Sequence, residues 1–220
     1  MQLGHLTASG AQNWMPEMTT DIAITLAQTA EYLKSSGQAE KVLGAGRHSP
    51  GFCLPDQDGV KTSSDSILRR GPLLLLFYSG SWCPGCNLSL KALEEIRPLI
   101  EARGASLVAI SPQTIEENAR TRRTTQVTLP ILSDKGGKIA QQYGVRWRIP
   151  ELLQILHLKS GIDLPSLHGE DSWTLPIPAR FVVGQDGVIA YSEVDPDQTQ
   201  RSNPSDILPV LDRLGSVRRA

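Results

Sequence analysis

Two cysteines separated by a proline and a glycine, Cys83-Pro84-Gly85-Cys86, are the residues of this chain best spaced for chemistry. Two intervening residues let the thiols close and reopen a disulfide with little backbone movement. After a strand and at the opening of a helix, a thiol also meets unpaired first-turn N–H groups and the positive end of the helix dipole. Such settings lower a cysteine from an ordinary pKa of about 8.5 to roughly 3.5–7.5. Pro84 suits the first helical position, where its missing N–H would be unpaired anyway. Trp82 supplies an apolar shield beside the first sulfur. Two other assignments compete. Zinc would want a second ligand pair of similar spacing, yet Cys53 is alone and His5, His48, His157 and His168 are scattered. Two inert, buried thiols are the other alternative. The strand–loop–helix setting favours a redox dithiol, with no metal and no cofactor.

The elements that must position this pair can be read from periodicity. Leu73-Leu74-Leu75-Leu76-Phe77-Tyr78 is a continuous apolar run of strand length, suited to a central strand buried on both faces. Ser79-Gly80-Ser81-Trp82 is the loop into the motif, and Leu90, Leu93, Ile96, Leu99 and Ile100 mark one face of the following helix. Pro98 predicts a kink or break in it. A hairpin is expected over 52–62, and a short helical turn runs from Ser64 to Leu68. Strands are expected at Ala105–Ile110 and Leu129–Leu132, and helices at Thr114–Arg123 and Lys138–Tyr143. Glu116 and Glu117 are spaced to pair with Arg120. Residues 146–175 lack a clean period and read as an insertion carrying one helix near 150–159. Arg180–Val183 and Val188–Glu193 flank a Gln-Asp-Gly turn as a second hairpin, and Asp206–Leu214 closes the chain as a helix. Upstream, Thr19, Thr20 and Asp21 open one or two helices over about 17–43. Their apolar stripe (Ile22, Leu26, Ala30, Leu33) must cover its own domain or a second subunit. Strands alternating with helices and a terminal hairpin give an α/β class with a mixed sheet flanked by helices. A helical extension over 1–46 precedes a redox domain over 47–220.

Composition bounds the function. With 22 Lys and Arg against 23 Asp and Glu, the net charge of −1 argues against a nucleic-acid binder working by overall charge. Three cysteines in 220 residues exclude a disulfide-stapled secreted scaffold. The opening residues lack a secretory pattern, and the longest apolar run is far short of a bilayer span, so a soluble, cytoplasmic protein without a membrane partner is expected.

Phe77-Tyr78-Ser79-Gly80-Ser81-Trp82-Cys83-Pro84-Gly85-Cys86 resembles the active-site segment of the peroxiredoxin-like branch of the alkyl hydroperoxide reductase/thiol-specific antioxidant (AhpC/TSA) family, which has a thioredoxin-like fold. Residues 50–59 look like that family's opening hairpin. Ile177-Pro178-Ala179-Arg180-Phe181-Val182-Val183 with Asp186-Gly187 is similar to its late strand. Gly161–Pro165 and Val194-Asp195-Pro196-Asp197 extend the likeness over about 50–214. Placing the family's Pro-x-x-x-Thr-x-x-Cys pattern here puts Ser79 on the proline, Cys83 on the threonine and Cys86 on the peroxidatic cysteine. The family's arginine falls on Pro178. Cys-Pro-Gly-Cys with Pro178 is also similar to thioredoxin-like oxidoreductases, in which a cis proline faces the dithiol, although their buried acid is absent from Leu73–Phe77.

Both likenesses imply thiolate attack on a soft electrophile, with the second thiol resolving the adduct into a Cys83–Cys86 disulfide. The electrophile is a peroxide or a disulfide, and a thioredoxin-like protein or small thiol would reset the pair. Dipole and expected exposure favour Cys83 as nucleophile; the peroxiredoxin register favours Cys86. A vestigial binding module is a third reading. Arg146, Arg148 and Arg180 are candidates to replace the missing arginine. Cys53 reads as a small buried hydrophobe, Pro178 as a cis, site-facing proline, and Trp147 and Trp173 as core or interface aromatics. A homodimer is implied by the resemblance and by the N-terminal stripe.

Overall fold

The structure is a computed structural model that describes residues 20–196 and 203–217. Thr19, the expected helix start near 17 and Asp197 lie outside the described residues. In chain order the elements are α1 (Thr20–Ser35), β1 (Cys53–Pro55), β2 (Lys61–Ser63), α2 (Ser64–Leu68), β3 (Leu73–Phe77) and α3 (Pro84–Glu101). They continue with β4 (Ser106–Ser111), α4 (Ile115–Thr125), β5 (Ile131–Ser133), α5 (Lys138–Gln142), β6 (Arg146–Arg148), α6 (Glu151–Lys159) and α7 (Leu164–His168). Last come β7 (Thr174–Pro176), β8 (Ala179–Val183), β9 (Ile189–Val194) and α8 (Leu208–Val217).

Five strands form a mixed sheet in the order β5-β4-β3-β8-β9, with β3, β4 and β5 parallel and β8 and β9 antiparallel. β3 is central and all five of its residues are buried, as a continuous apolar run requires when both faces are covered. Alternation divides it between two cores. Leu73, Leu75 and Phe77 join Phe181, Val183, Tyr143 and Trp147 on one face. Leu74, Leu76 and Tyr78 join Leu90, Leu93, Val182, Val210 and both motif cysteines on the other, under α3 and α8. Each fully buried Leu or Phe contributes about 1.5–3 kcal/mol of transfer free energy, which anchors β3 between the two cores. α3 continues through Pro98 to Glu101, against the expected kink or break. The proline sits one turn from the helix end, so only the bond to the Glu94 carbonyl is lost.

The insertion is more ordered than its aperiodic sequence predicts. Its ends pair as the antiparallel strands β6 and β7, and two helices, α6 and α7, fill the interval. Of the expected N-terminal stripe, Leu33 is buried and Leu26 and Ala30 are half-buried, with Thr25 and Thr29 buried on the same face; the Ile22 side chain lies outside the described residues. Leu33 is in the core, Tyr32 stacks on Trp147 with ring centroids 5.7 Å apart, and the Thr25 and Ser160 hydroxyls meet at 3.0 Å. The stripe therefore no longer argues for a second subunit. Trp147 is a core residue, and Trp173 packs against the same core with a positive φ of 51°. The chain then turns through Gly37, and residues 43–49 are stitched to the domain by Leu43 N–H on the Tyr143 carbonyl (3.0 Å) and Gly46 N–H on the Ile189 carbonyl (2.8 Å).

Two measurements follow from this packing. Gly144 has φ of 76°, and a Cβ there would lie 2.2 Å from the Lys41 carbonyl oxygen. Gly144→Ala is expected to destabilise the chain by about 3 kcal/mol in urea unfolding. His157 and His168, on α6 and α7, are buried; desolvation pushes the first below its ordinary value and the second down to about 4, the Glu170 carboxylate offsetting only part of the second shift. The unfolded imidazoles bind protons first as pH falls, so their stabilising effect is present above about pH 6.5 and lost below it. The urea midpoint is expected to fall between pH 7 and 4.5, His168 alone accounting for about 3 kcal/mol, and His168→Gln to flatten the dependence.

Candidate active site

β3 delivers the chain to the carboxyl end of the parallel strands, where it turns through residues 78–82 and enters α3 at Cys83. Cys83 is the N-cap, with extended backbone (φ −93°, ψ 106°), and Pro84 takes the first helical position. The Cys83 Sγ accepts the Cys86 N–H at 3.3 Å, and the Cys83 carbonyl accepts the Asn87 N–H at 3.2 Å. A sulfur thus occupies the place where Ser, Thr or Asp usually satisfies a first-turn amide. An anion there would gain from the amide and from the helix dipole, against the cost of burying its charge. Both sulfurs are enclosed: Cys83 is 0% and Cys86 2% exposed. The expectation that Cys83 is the more exposed thiol is corrected, since the capping turn folds Cys83 into the core beneath Trp82; its claim to be the nucleophile rests on the cap alone.

The loop before the motif needs a glycine. Gly80 has φ of 144°, and a Cβ there would sit 2.5 Å from Gln113 Oε1 and 2.8 Å from Trp82 Nε1. Trp82 packs against both cores, and its indole meets the His157 ring edge-on, 5.4 Å between centroids. His157 Nδ1 lies 2.7 Å from the Leu153 carbonyl, and its other nitrogen is buried without a hydrogen bond, consistent with a neutral ring. Tyr78 is fully buried in the same cluster as the cysteines. Its hydroxyl lies close to Ser111, Thr121 and Cys86 without a hydrogen bond of ordinary geometry. Burial pushes the phenol far above its usual range, so it stays protonated.

The structure gathers Ser79, Trp82, Cys83, Pro84, Gly85 and Cys86 at the start of α3. Pro178 precedes β8, one residue beyond the Phe77–Ala179 pair, at the same end of the sheet. It is trans, because no peptide bond among the described residues is cis, and its carbonyl accepts the Asp195 N–H at 2.8 Å. The expected cis proline is therefore absent; Pro178 instead begins an ordinary antiparallel ladder. Ser79 is buried and donates to the Pro176 carbonyl at 3.4 Å, a bond the family's proline could not make. Cys53, expected to be buried, is exposed on β1, in a two-stranded sheet outside the main one.

Arg146 donates to Thr174 (3.1 Å) and Gln141 (3.2 Å) beside Phe77, whose side chain belongs to the other face of the sheet, and Arg148 is exposed. Arg180 alternates onto the dithiol face of β8 and is paired with Glu193, which also accepts the Tyr191 hydroxyl at 2.9 Å. Among the described residues, no three His, Cys, Asp or Glu side chains gather into a group able to hold a metal ion.

Sequence reasoning missed Tyr78, Asn87, Gln113 and His157. One signal was available for Gln113: it follows the parallel strand next to β3, and side chains just past the carboxyl ends of adjacent parallel strands converge on one crevice.

The AhpC/TSA family model matches residues 45–192, more than half of the chain. A Mycobacterium tuberculosis (strain ATCC 25618 / H37Rv) protein carrying a provisional peroxiredoxin name is 32% identical over 95 residues, 43% of this chain and 62% of its own length. The chain thus spans about three fifths of that relative. Thiol-disulfide oxidoreductase ResA of Bacillus thuringiensis subsp. konkukian (strain 97-27) is 25% identical over 134 residues, 60% of this chain and 75% of its own. Among solved structures, peroxidoxin BcpB from Mycobacterium tuberculosis superposes with a TM-score of 0.62, covering 80% of this chain and 99% of that one; at 22% identity this likeness concerns the fold. The family match runs unbroken from the first hairpin through the capped dithiol to the late strands, and the chain belongs to the AhpC/TSA family.

Proposed function

We propose that the chain is a thiol peroxidase whose attacking sulfur is Cys83 and whose resolving sulfur is Cys86. The observation that carries this reading is the Cys83 Sγ at the α3 N-cap, accepting the Cys86 amide, with both sulfurs enclosed. A small, uncharged oxidant reaches such a sulfur more readily than the disulfide of a folded partner. In the first step the Cys83 thiolate attacks one peroxide oxygen, an S–O bond forms and the O–O bond breaks. The departing oxygen takes a proton and leaves as water or an alcohol, and Cys83 becomes a sulfenic acid. Cys86 then attacks Cys83; the S–S bond forms, the S–O bond breaks and water leaves with the thiol proton. Two electrons from a thioredoxin-like protein or a small thiol restore the pair. We place this cycle in the cytoplasm, in keeping with a chain of few cysteines and a reversible dithiol.

A second reading, thiol–disulfide exchange, is favoured by one observation: the likeness to ResA covers a larger share of both chains than the likeness to the peroxiredoxin-named relative. The two separate by experiment. Stopped-flow oxidation of the reduced protein by hydrogen peroxide is expected to be at least about a hundredfold faster than that of free cysteine, the scale a preorganised donor set supplies. A rate equal to free cysteine's, with fast reduction of a mixed disulfide, would transfer the assignment to exchange. Inertness towards both would leave a binding module.

The order of the sulfurs has its own test. After limited peroxide, Cys86→Ser is expected to hold a sulfenic acid at Cys83 that dimedone traps quantitatively, while Cys83→Ser traps less than about a tenth as much. The reverse pattern by mass spectrometry would make Cys86 the attacking sulfur.

A further inference from the structure

Gln113 is 0% exposed, and its side-chain amide makes three hydrogen bonds beside the dithiol. Its Oε1 accepts the Ser81 N–H at 2.6 Å, and its Nε2 donates to Thr121 Oγ1 at 3.0 Å and Asn118 Oδ1 at 3.2 Å. Its own backbone is fixed as well: the N–H reaches Ser111 Oγ at 3.3 Å and the carbonyl accepts the Ser133 hydroxyl at 2.6 Å. The amide can point only one way. Thr121 spends its proton on the Glu117 carbonyl at 2.9 Å and can only accept, whereas the Ser81 N–H can only donate. On the other side of Ser81, its carbonyl accepts Asn87 Nδ2 at 2.7 Å, and the Gly80 carbonyl accepts the Cys83 N–H at 3.2 Å. The start of the loop is tied to strands, the Tyr78 N–H to the Ile110 carbonyl of β4 at 3.1 Å and the Ser79 hydroxyl to the Pro176 carbonyl of β7. Ser81 itself is held by side chains, Gln113 from the β4–α4 connection and Asn87 from α3.

We propose that Gln113 is a positioning residue for the dithiol: it fixes the Ser81 peptide so that Cys83 enters α3 at the capping angle, which sets how readily the Cys83 sulfur forms its thiolate. This rests on the assignment of Cys83 as the attacking sulfur. Without the Gln113 bond the part-buried Ser81 N–H loses its acceptor, the turn relaxes, and the sulfur leaves the line of the Cys86 amide. Thiolate stabilisation is lost at a residue that Gln113 need not touch, as outer-shell partners commonly lose about ten- to a hundredfold in activity when removed.

The test uses the full chain in a Cys53→Ser, Cys86→Ser background, where Cys83 alone reacts, and follows the pH dependence of its alkylation by iodoacetamide. Gln113→Met keeps the volume and deletes the bonds. It is expected to raise the alkylation midpoint by about one pH unit and to slow alkylation at pH 7 about tenfold. Thr121→Val also removes a bond from Gln113 but spares the one to Ser81. It is expected to lower the thermal midpoint while leaving the alkylation midpoint in place. A folded Gln113→Met with the parental midpoint would overturn the proposal, and so would an equal shift in Thr121→Val, which would mark a general loosening. If Gln113→Met does not fold, hydrogen exchange in the parent chain decides: the Ser81 amide is expected to exchange at least about a hundredfold slower than an open loop amide, and exchange at the open rate would overturn the clamp. Alkylation needs no peroxide, so slow peroxide turnover with the expected midpoint shift would fail the peroxidase reading and leave the role of Gln113 standing.

Discussion

One hydrogen bond, from the Cys86 amide to the Cys83 sulfur, sets the demands on the rest of the molecule. It needs a helix whose first turn is free of competing caps, a chain that arrives from the right direction, and surroundings that exclude water without crowding the sulfur. α3 meets the first demand by starting at Pro84, which brings no amide of its own to compete. β3 meets the second by being immobile: its five residues are divided between two cores, so neither face can slip without exposing the other. Trp82 meets the third by packing against both cores at once, with the neutral ring of His157 at its edge.

In the register that the resemblance implies, the candidate site departs from the family's pattern at three positions, and the structure shows what each residue there contacts. Where the pattern has a proline, Ser79 uses its hydroxyl to tie the loop to the Pro176 carbonyl, joining the dithiol loop to the end of the insertion hairpin. Where it has a threonine, Cys83 takes over the capping position with a sulfur. Where it has an arginine, Pro178 offers only a carbonyl, and that carbonyl belongs to the ladder. The cation two residues later, Arg180, is on the same sheet face but is engaged by Glu193, whose carboxylate also holds Tyr191. Polar control of the site therefore passes to uncharged groups: the Gln113 amide, the Asn87 amide, and a phenol at Tyr78 that burial keeps protonated.

What could be read from the sequence was what depends on neighbours in the sequence. The β3 run, the motif at a helix start, the two Gly-turned hairpins and the helices after β4 and β5 all carry their signal within a dozen residues. The rest depends on partners far along the chain. β6 and β7 are three residues each, separated by a 25-residue excursion with no period, so no local pattern marks them as strands. Nothing local singles out Gln113, because its partner Ser81 is 32 positions away. The two errors about cysteines share a cause: a hairpin residue such as Cys53 faces core or solvent according to how its small sheet docks, whereas a helix-capping residue such as Cys83 is exposed or buried by what folds over it. Alternation and dipole arguments address neither.

The packing of α1 has a consequence for how the molecule is made. Thr25 meets Ser160 across 135 residues of chain, and Tyr32 stacks on Trp147, also far along the sequence. A chain synthesised from its N-terminus presents α1 first, while the α6 surface that will cover it is not yet made. Closing so long a loop costs entropy that only the finished insertion can repay. α1 therefore cannot dock until residues 147–160 have been made, after β3, β4, β5 and the dithiol have already emerged.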